Sequence, residues 1–167
     1  GMITLYSGTQ PMGQGIATSY LQIFSEQLQI PVNQLKVVQG DTDLVEGHGS
    51  VGSRSLFVGG NAILRGIEDF LEECKQLAAS ELEASVEDLE YYQGNFQVKG
   101  TRVGIEIFDL CSRQSGNSIS VKRKKELTGR SWPNGCHVAE VEIDAETGEV
   151  RLLSLIHISE PTRRYRI

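Results

Sequence analysis

Two glycine-rich stretches hold the residues whose types and spacing could do chemistry. The first, GTQPMGQG at residues 8–15, directly follows the apolar run MITLYS. If a helix starts here, Gly13 and Gly15 leave its unpaired backbone N–H groups accessible to an anion. Between them, the Gln14 side-chain amide can donate and accept at once. That combination suits a ligand with both anionic and heterocyclic edges. The second stretch, GDTDLVEGHGSVGSRS at residues 40–55, adds the hydroxyls of Ser50, Ser53 and Ser55, the bare backbone of Gly52 and the Arg54 guanidinium, all ahead of a second helix. Two such loops on one crevice suggest a dinucleotide-like ligand, whereas ordinary glycine turns with helix caps are the alternative on pattern alone. His48 lies in the same loop and could reach a substrate, although a lone loop histidine is more often a bystander.

The familiar phosphate loops do not fit. A Walker A loop needs Lys and then Ser or Thr after its second glycine, to neutralise the terminal phosphates and hold magnesium. Gly8 and Gly13 have the spacing, but Gln14 and Gly15 stand at those positions. A Rossmann fingerprint fails because GQGIAT ends on Thr18 and the next acids, Asp41 and Asp43, come too late to bind a ribose. A calcium loop fails because DTDLVEG puts Val45 at a ligand position.

The elements that must position these loops alternate. Residues 3–7 read as a strand, and Ile16, Tyr20, Ile23, Phe24 and Leu28 recur at helical spacing before Pro31 stops the helix. LKVVQ at 35–39 is a second strand. From Arg54 a second helix carries Leu56, Ile63, Ile67, Phe70, Leu71, Cys74 and Leu77 on one stripe, with Gly59-Gly60 as a flat spot for a neighbouring backbone. If the two strands pair in parallel, right-handed crossovers bring both helix N-termini to one sheet edge. Beyond the second helix, LEYY and FQVK flank Gln93-Gly94-Asn95 as a hairpin, GIEIFDLCSR reads as a short helix, and SISVKRK, HVAEVEID and EVRLL read as strands. The DAETGE turn joins the last two. The fold class expected is α+β: a β-loop-α-β-loop-α unit followed by a mostly antiparallel β part, forming a partial domain of a larger subunit.

Composition narrows the function. The chain has 167 residues, 39% hydrophobic and 23% charged, enough for one ordinary core or part of a larger one. A net charge of −6 and a pI near 5.1 argue against a polyanion partner such as nucleic acid. The one basic run, residues 122–125, reads as a solvated strand or edge. Cys74, Cys111 and Cys136 lie far apart without metal-ligand spacing, and Cys74 and Cys111 fall on apolar faces, as buried reduced thiols do. No run is long enough for a membrane span and no signal layout opens the chain, so a soluble, cytoplasmic protein is expected. Gly1-Met2 runs straight into a strand pattern, as if the chain began inside a longer one.

The two loop motifs in order, TLYSGTQPMGQGIATSYLQIFSEQLQIPVNQLKVVQGDTD and then GSVGSRSLFVGGNAI, closely resemble the molybdopterin-binding large subunit of the xanthine dehydrogenase, aldehyde oxidase and carbon monoxide dehydrogenase family. The resemblance runs over about residues 2–152, through HVAEVEIDAETGEVRLL. It implies a piece of a molybdenum hydroxylase whose metal is held by the dithiolene of a pyranopterin, not by protein side chains. By that resemblance, Met12, Gly13, Gln14 and Gly15 line the pterin, and Gly52, Ser53, Arg54 and Ser55 line the cofactor near the metal and its dinucleotide extension. Gln14 would be the pterin-reading amide, the Gly52 and Ser53 backbone would donate near the metal's oxo or sulfido groups, and Arg54 and Ser55 would meet phosphate. A surface ion pair is the alternative for Arg54. The cytosine dinucleotide form of the cofactor is implied by likeness to bacterial members. The implied partners are an iron-sulfur subunit and an FAD subunit in a hetero-oligomer, together with a small-molecule substrate.

Two departures qualify the resemblance. The family's catalytic base is a Glu in a glycine-glutamate motif far downstream, and no counterpart stands in this sequence, so no catalytic residue is assigned. Glu160-Pro161 falls almost directly after EVRLL, where the family chain should still be building its sheet. Moreover LSLIHISEPTR, beginning at Leu153, reads like the translation of a transposase adapter used in sequencing libraries. Residues 1–152 are therefore expected to be a fragment of a cofactor-binding domain, and residues 153–167 a non-native tail. The competing functional class is a non-enzymatic nucleotide- or anion-binding module built on the same glycine loops.

Overall fold

The structure is a computed structural model that describes residues 1–122 and 135–159. The chain divides into two units, Gly1–Gly129 and Arg130–Ile167. In the first, strand β1 (Ile3–Ser7) pairs in parallel with β2 (Leu35–Gln39), in the register Ile3↔Leu35 to Ser7↔Gln39. Between them runs helix α1 (Ile16–Leu28), whose Ile16, Tyr20, Phe24 and Leu28 recur every four residues and are all buried. Burying each large apolar side chain on this stripe contributes about 1.5–3 kcal/mol. Gly15 starts the helix at φ 74°, and Gln29 ends it in the same left-handed region at φ 52°.

Helix α2 (Ser55–Glu81) packs against α1, and its Ile63, Ile67, Cys74 and Ala78 are buried in the same core as the α1 stripe. Two expectations for this helix change. Leu56 is exposed, because it lies in the first turn, ahead of the segment that covers the core. Gly59-Gly60 receives side chains and not a neighbouring backbone: a Cβ on Gly59 would overlap the Tyr20 hydroxyl, and one on Gly60 would lie 3.5 Å from the Ile23 Cδ1.

A three-stranded antiparallel sheet follows, β3 (Leu89–Tyr92), β4 (Asn95–Val98) and β5 (Gly104–Glu106), in that order. The β3–β4 turn is two residues, Gln93 at φ 47° and Gly94 at φ 81°, the geometry that suits right-twisted strands. Tyr91 ties this sheet to α1: its ring meets Phe96 at 4.9 Å and its hydroxyl donates to the Leu28 carbonyl at 2.5 Å. That carbonyl is one of the helix-end acceptors without an intrahelical donor. The expected helix over GIEIFDLCSR is shorter than its pattern. Residues 104–106 join β4 as a strand, pairing Ile105 with Phe96, and helix α3 is Ile107–Arg113. Burial of Ile105 opposite Phe96 outweighs the helical periodicity there. Cys74 is buried, whereas Cys111 is half-buried with its thiol donating to the Asn117 carbonyl at 3.3 Å.

The expected strand at 118–124 does not form over residues 118–122, and its last two residues lie outside the described ones, as does most of the basic run. The second unit is an antiparallel hairpin, β6 (Gly135–Ile143) with β7 (Val150–Ser159). Its turn is held by Asp144, whose carboxylate accepts the N–H groups of Glu146 and Thr147 at 2.9 and 2.8 Å, while Gly148 takes φ 74°. Those backbone bonds, Thr147 first, hold the Asp144 carboxyl below its ordinary range. Strand β7 runs on past Leu152, with a register shift at Glu140/Val141 that leaves Leu153 without a partner in the ladder.

Candidate cofactor-binding site

Because β1 and β2 are parallel, the chain leaves both at the same edge, and both glycine loops emerge there. They are bonded to each other. The Gly49 N–H donates to the Gly8 carbonyl at 3.1 Å. Ser50, itself buried, accepts the Gln10 N–H at 3.1 Å and returns its hydroxyl to the Gln10 carbonyl at 2.6 Å. The shared-edge arrangement expected of the two loops is therefore present.

Beneath them lies a directed chain of hydroxyls. Tyr20 Oη donates to the Ser55 carbonyl at 2.8 Å, so it accepts from the Thr9 hydroxyl at 3.1 Å. Thr9 has then spent its proton, and Ser7 Oγ must donate to Thr9 Oγ1 at 2.9 Å. The Gln39 amide, at the end of β2, donates to both Thr9 Oγ1 at 2.8 Å and the Thr9 carbonyl at 3.2 Å. Burial pushes the Tyr20 phenol above its ordinary range, although the Thr9 and Ser7 hydroxyls pull the other way, so it remains a proton donor at neutral pH.

Above this floor the predicted cofactor residues are open. Met12, Gly13, Gln14, Gly15, Gly52, Ser53 and Arg54 are exposed, and Ser55 is half-buried as the first residue of α2. Gly13, Gly15 and Gly52 have φ of 82°, 74° and 61°, and a Cβ on any of them would meet nothing within 4 Å. Ser53 is also left-handed, at φ 52°. The backbone at Gly13, Gly15 and Gly52 is thus bare, conformationally suited to glycine, and next to two helix N-termini whose first N–H groups have no intrahelical acceptor. A planar, polar, partly anionic cofactor fits that surface. The Gln14 amide folds onto its own loop, accepting the Met12 N–H at 2.5 Å and donating to the Gln10 carbonyl at 3.1 Å. One N–H and one lone pair of that amide remain for a ligand. His48 is exposed.

The positioning residues were harder to see in the sequence. Pattern alone places Tyr20 on an apolar stripe and gives no partner for Thr9 or Gln39. The available signal was chemical: a tyrosine on a buried stripe brings a hydroxyl that must find a partner.

Residues 1–161 match the family model of the molybdopterin cofactor-binding domain. The chain is 30% identical, over 98% of its length and 22% of the relative's, to the 6-hydroxypseudooxynicotine dehydrogenase complex subunit gamma of Paenarthrobacter nicotinovorans. It is 29% identical to the carbon monoxide dehydrogenase large chain of Hydrogenophaga pseudoflava, over 87% of this chain and 19% of that one. Among solved structures, a Cu,Mo-CO dehydrogenase in its carbon monoxide reduced state superposes with a TM-score of 0.73 at 25% identity, covering 95% of this chain and 21% of that chain. Quinoline 2-oxidoreductase from Pseudomonas putida 86 superposes at 0.65 with 26% identity, over 95% and 22%. The chain thus spans about a fifth of the length of these relatives. A non-enzymatic nucleotide- or anion-binding module finds no support among them. With its mixed helix and strand fold and its paired glycine loops, the chain belongs to the molybdopterin cofactor-binding domain family.

Proposed function

We propose that this chain is the part of a molybdenum hydroxylase large subunit that grips the pterin and dinucleotide ends of the cofactor. The observation that carries the reading is the pair of glycine loops, bonded to each other at one sheet edge and bare above it. Gly13, Gln14 and Gly15, beside Met12, would line the pterin. Gly52 and Ser53 would offer backbone donors near the metal, and Arg54 and Ser55 would meet the phosphates of a dinucleotide extension in its cytosine form. When bound, the cofactor supplies the two-electron redox chemistry that adds a water-derived oxygen to an aldehyde, N-heterocycle or similar carbon. The residues here bind and orient it. The proton-abstracting Glu that the resemblance implies belongs to another stretch of the parent chain, so residues 1–152 alone are expected to be inactive.

Electrons would pass to an iron-sulfur subunit, with an FAD subunit as a further partner, in a cytoplasmic hetero-oligomer. Residues 153–167 are read as adapter-derived, and β7 beyond Leu152 as a fortuitous continuation of the strand. Sequencing the source locus in both directions tests these points together. The expected result is a large-subunit reading frame with a downstream glycine-glutamate motif and a different sequence after Leu152. A frame lacking that motif would overturn the assignment, and turnover by residues 1–152 reconstituted with cofactor would overturn the expected inactivity of the fragment.

A further inference from the structure

We propose that Tyr20 is a positioning residue that sets the separation of the two cofactor loops, through the Thr9–Tyr20–Ser55 hydrogen-bond chain seated on Gly59. The inference rests on the cofactor reading above and assigns a role to Tyr20, Thr9 and Gly59, which that reading leaves without one. Tyr20 has no exposed surface, so its hydroxyl cannot fall back on water, and an unpaired hydroxyl there is costly. Its two bonds reach both loops: Thr9, two residues past β1 in the first, and the carbonyl of Ser55, where the second loop becomes α2. An ordinary core tyrosine needs one backbone acceptor, whereas this one is an intermediate link in a chain with one proton per link.

Helix α2 is shaped to receive the phenol. A Cβ on Gly59 would overlap Tyr20 Oη and fall 2.7 Å from Cζ, so the first turns of α2 come this close only because residue 59 has no side chain. The other end is equally restrained, since Gln39 holds Thr9 by two bonds and Ser7 by a third. The phenol is therefore a spacer of fixed length between two anchored points. Loops that must meet different ends of one rigid ligand need such a fixed spacing, because small misplacements of donors lose much of their effect.

The experiment uses the full-length parent protein purified with its cofactor. Tyr20→Phe keeps the ring and removes the link. The expected result is release of molybdenum and pterin about 5- to 30-fold faster than wild type, as loss of one buried link would give. The melt of the cofactor-free protein should move by only a few degrees, and hydrogen exchange should quicken at the Gln10 amide and at the first bonded amides of α2, beginning with Val58, but not in β3–β5. Thr9→Val should reproduce this and Thr9→Ser, which keeps the hydroxyl, should restore it. The double variant Tyr20→Phe/Thr9→Val should be no worse than either alone, because both break one chain. Wild-type release rates in Tyr20→Phe, additive single effects, or failure of Thr9→Ser to rescue would overturn the proposal while leaving the cofactor reading intact. A wild-type parent that carries no molybdenum or pterin would overturn both.

Discussion

Gly8 and Gly47 meet backbone to backbone: a Cβ on Gly47 would overlap the Gly8 carbonyl, and one on Gly8 would lie 2.5 Å from the Glu46 carbonyl oxygen. Neither obstacle is a flexible side chain, so neither can move aside cheaply. Gly47→Ala should therefore cost about 1–3 kcal/mol, the usual cost of overpacking, and should part the loops at the Gly49–Gly8 and Ser50–Gln10 bonds. A urea midpoint unchanged from wild type would show that the contact is slack.

Gln14 presents a different case, because its amide braces its own exposed loop. Gln14→Ala should change global stability by no more than about 1 kcal/mol, since only exposed bonds are lost. Cofactor content per folded parent subunit should fall. Gln14→Glu keeps the acceptor for the Met12 N–H but loses the donor, and should retain an intermediate amount. Full molybdenum and pterin occupancy in both variants would return Gln14 to an ordinary loop residue.

Alkaline pH should weaken the fold through Cys74. Burial chiefly, with Cys111 and Glu73 adding to it, pushes this thiol up from 9.0 to about 12. A raised value in the folded state means that the folded protein holds the proton more tightly than the unfolded one. The contribution is then complete below pH 9.0 and is lost as the pH climbs towards about 12. Tyr91, raised by burial from 10.0 to about 12, acts in the upper part of the same window. Tyr20, also raised by burial from 10.0, acts there too, so urea midpoints between pH 9 and 10 weight the thiol most, and Cys74→Ala should flatten their decline there. Equal slopes in mutant and wild type would contradict this.

The Gln93-Gly94 turn offers a stabilising change. Gln93 sits at φ 47°, where a side chain with a β-carbon is strained and Asn is tolerated best after Gly. Gln93→Asn should raise stability by about 0.5 kcal/mol without touching either glycine loop. Thermal melts of the two proteins measure it, and a lower melting temperature for the variant would count against the turn assignment.

Much of this was legible in the residues themselves. The spacing of Ile16, Tyr20, Phe24 and Leu28 defines α1, the apolar runs before each loop define β1 and β2, and the glycines at 13, 15 and 52 mark bare backbone. These are local properties, set by side-chain period and by the φ that only glycine takes at little cost. The two long loop motifs also carried the family. Local pattern overreached at residues 104–106, where helical periodicity yielded to cross-strand burial of Ile105 against Phe96. Only the tertiary structure decided that Ser50 closes on Gln10, that Gly47 rests on Gly8, and that Tyr20 links Thr9 to Ser55 over Gly59. Most of these contacts join residues 35 or more positions apart, and a hydroxyl's partner at that distance depends on how two helices and a parallel strand pair converge, which no local period records.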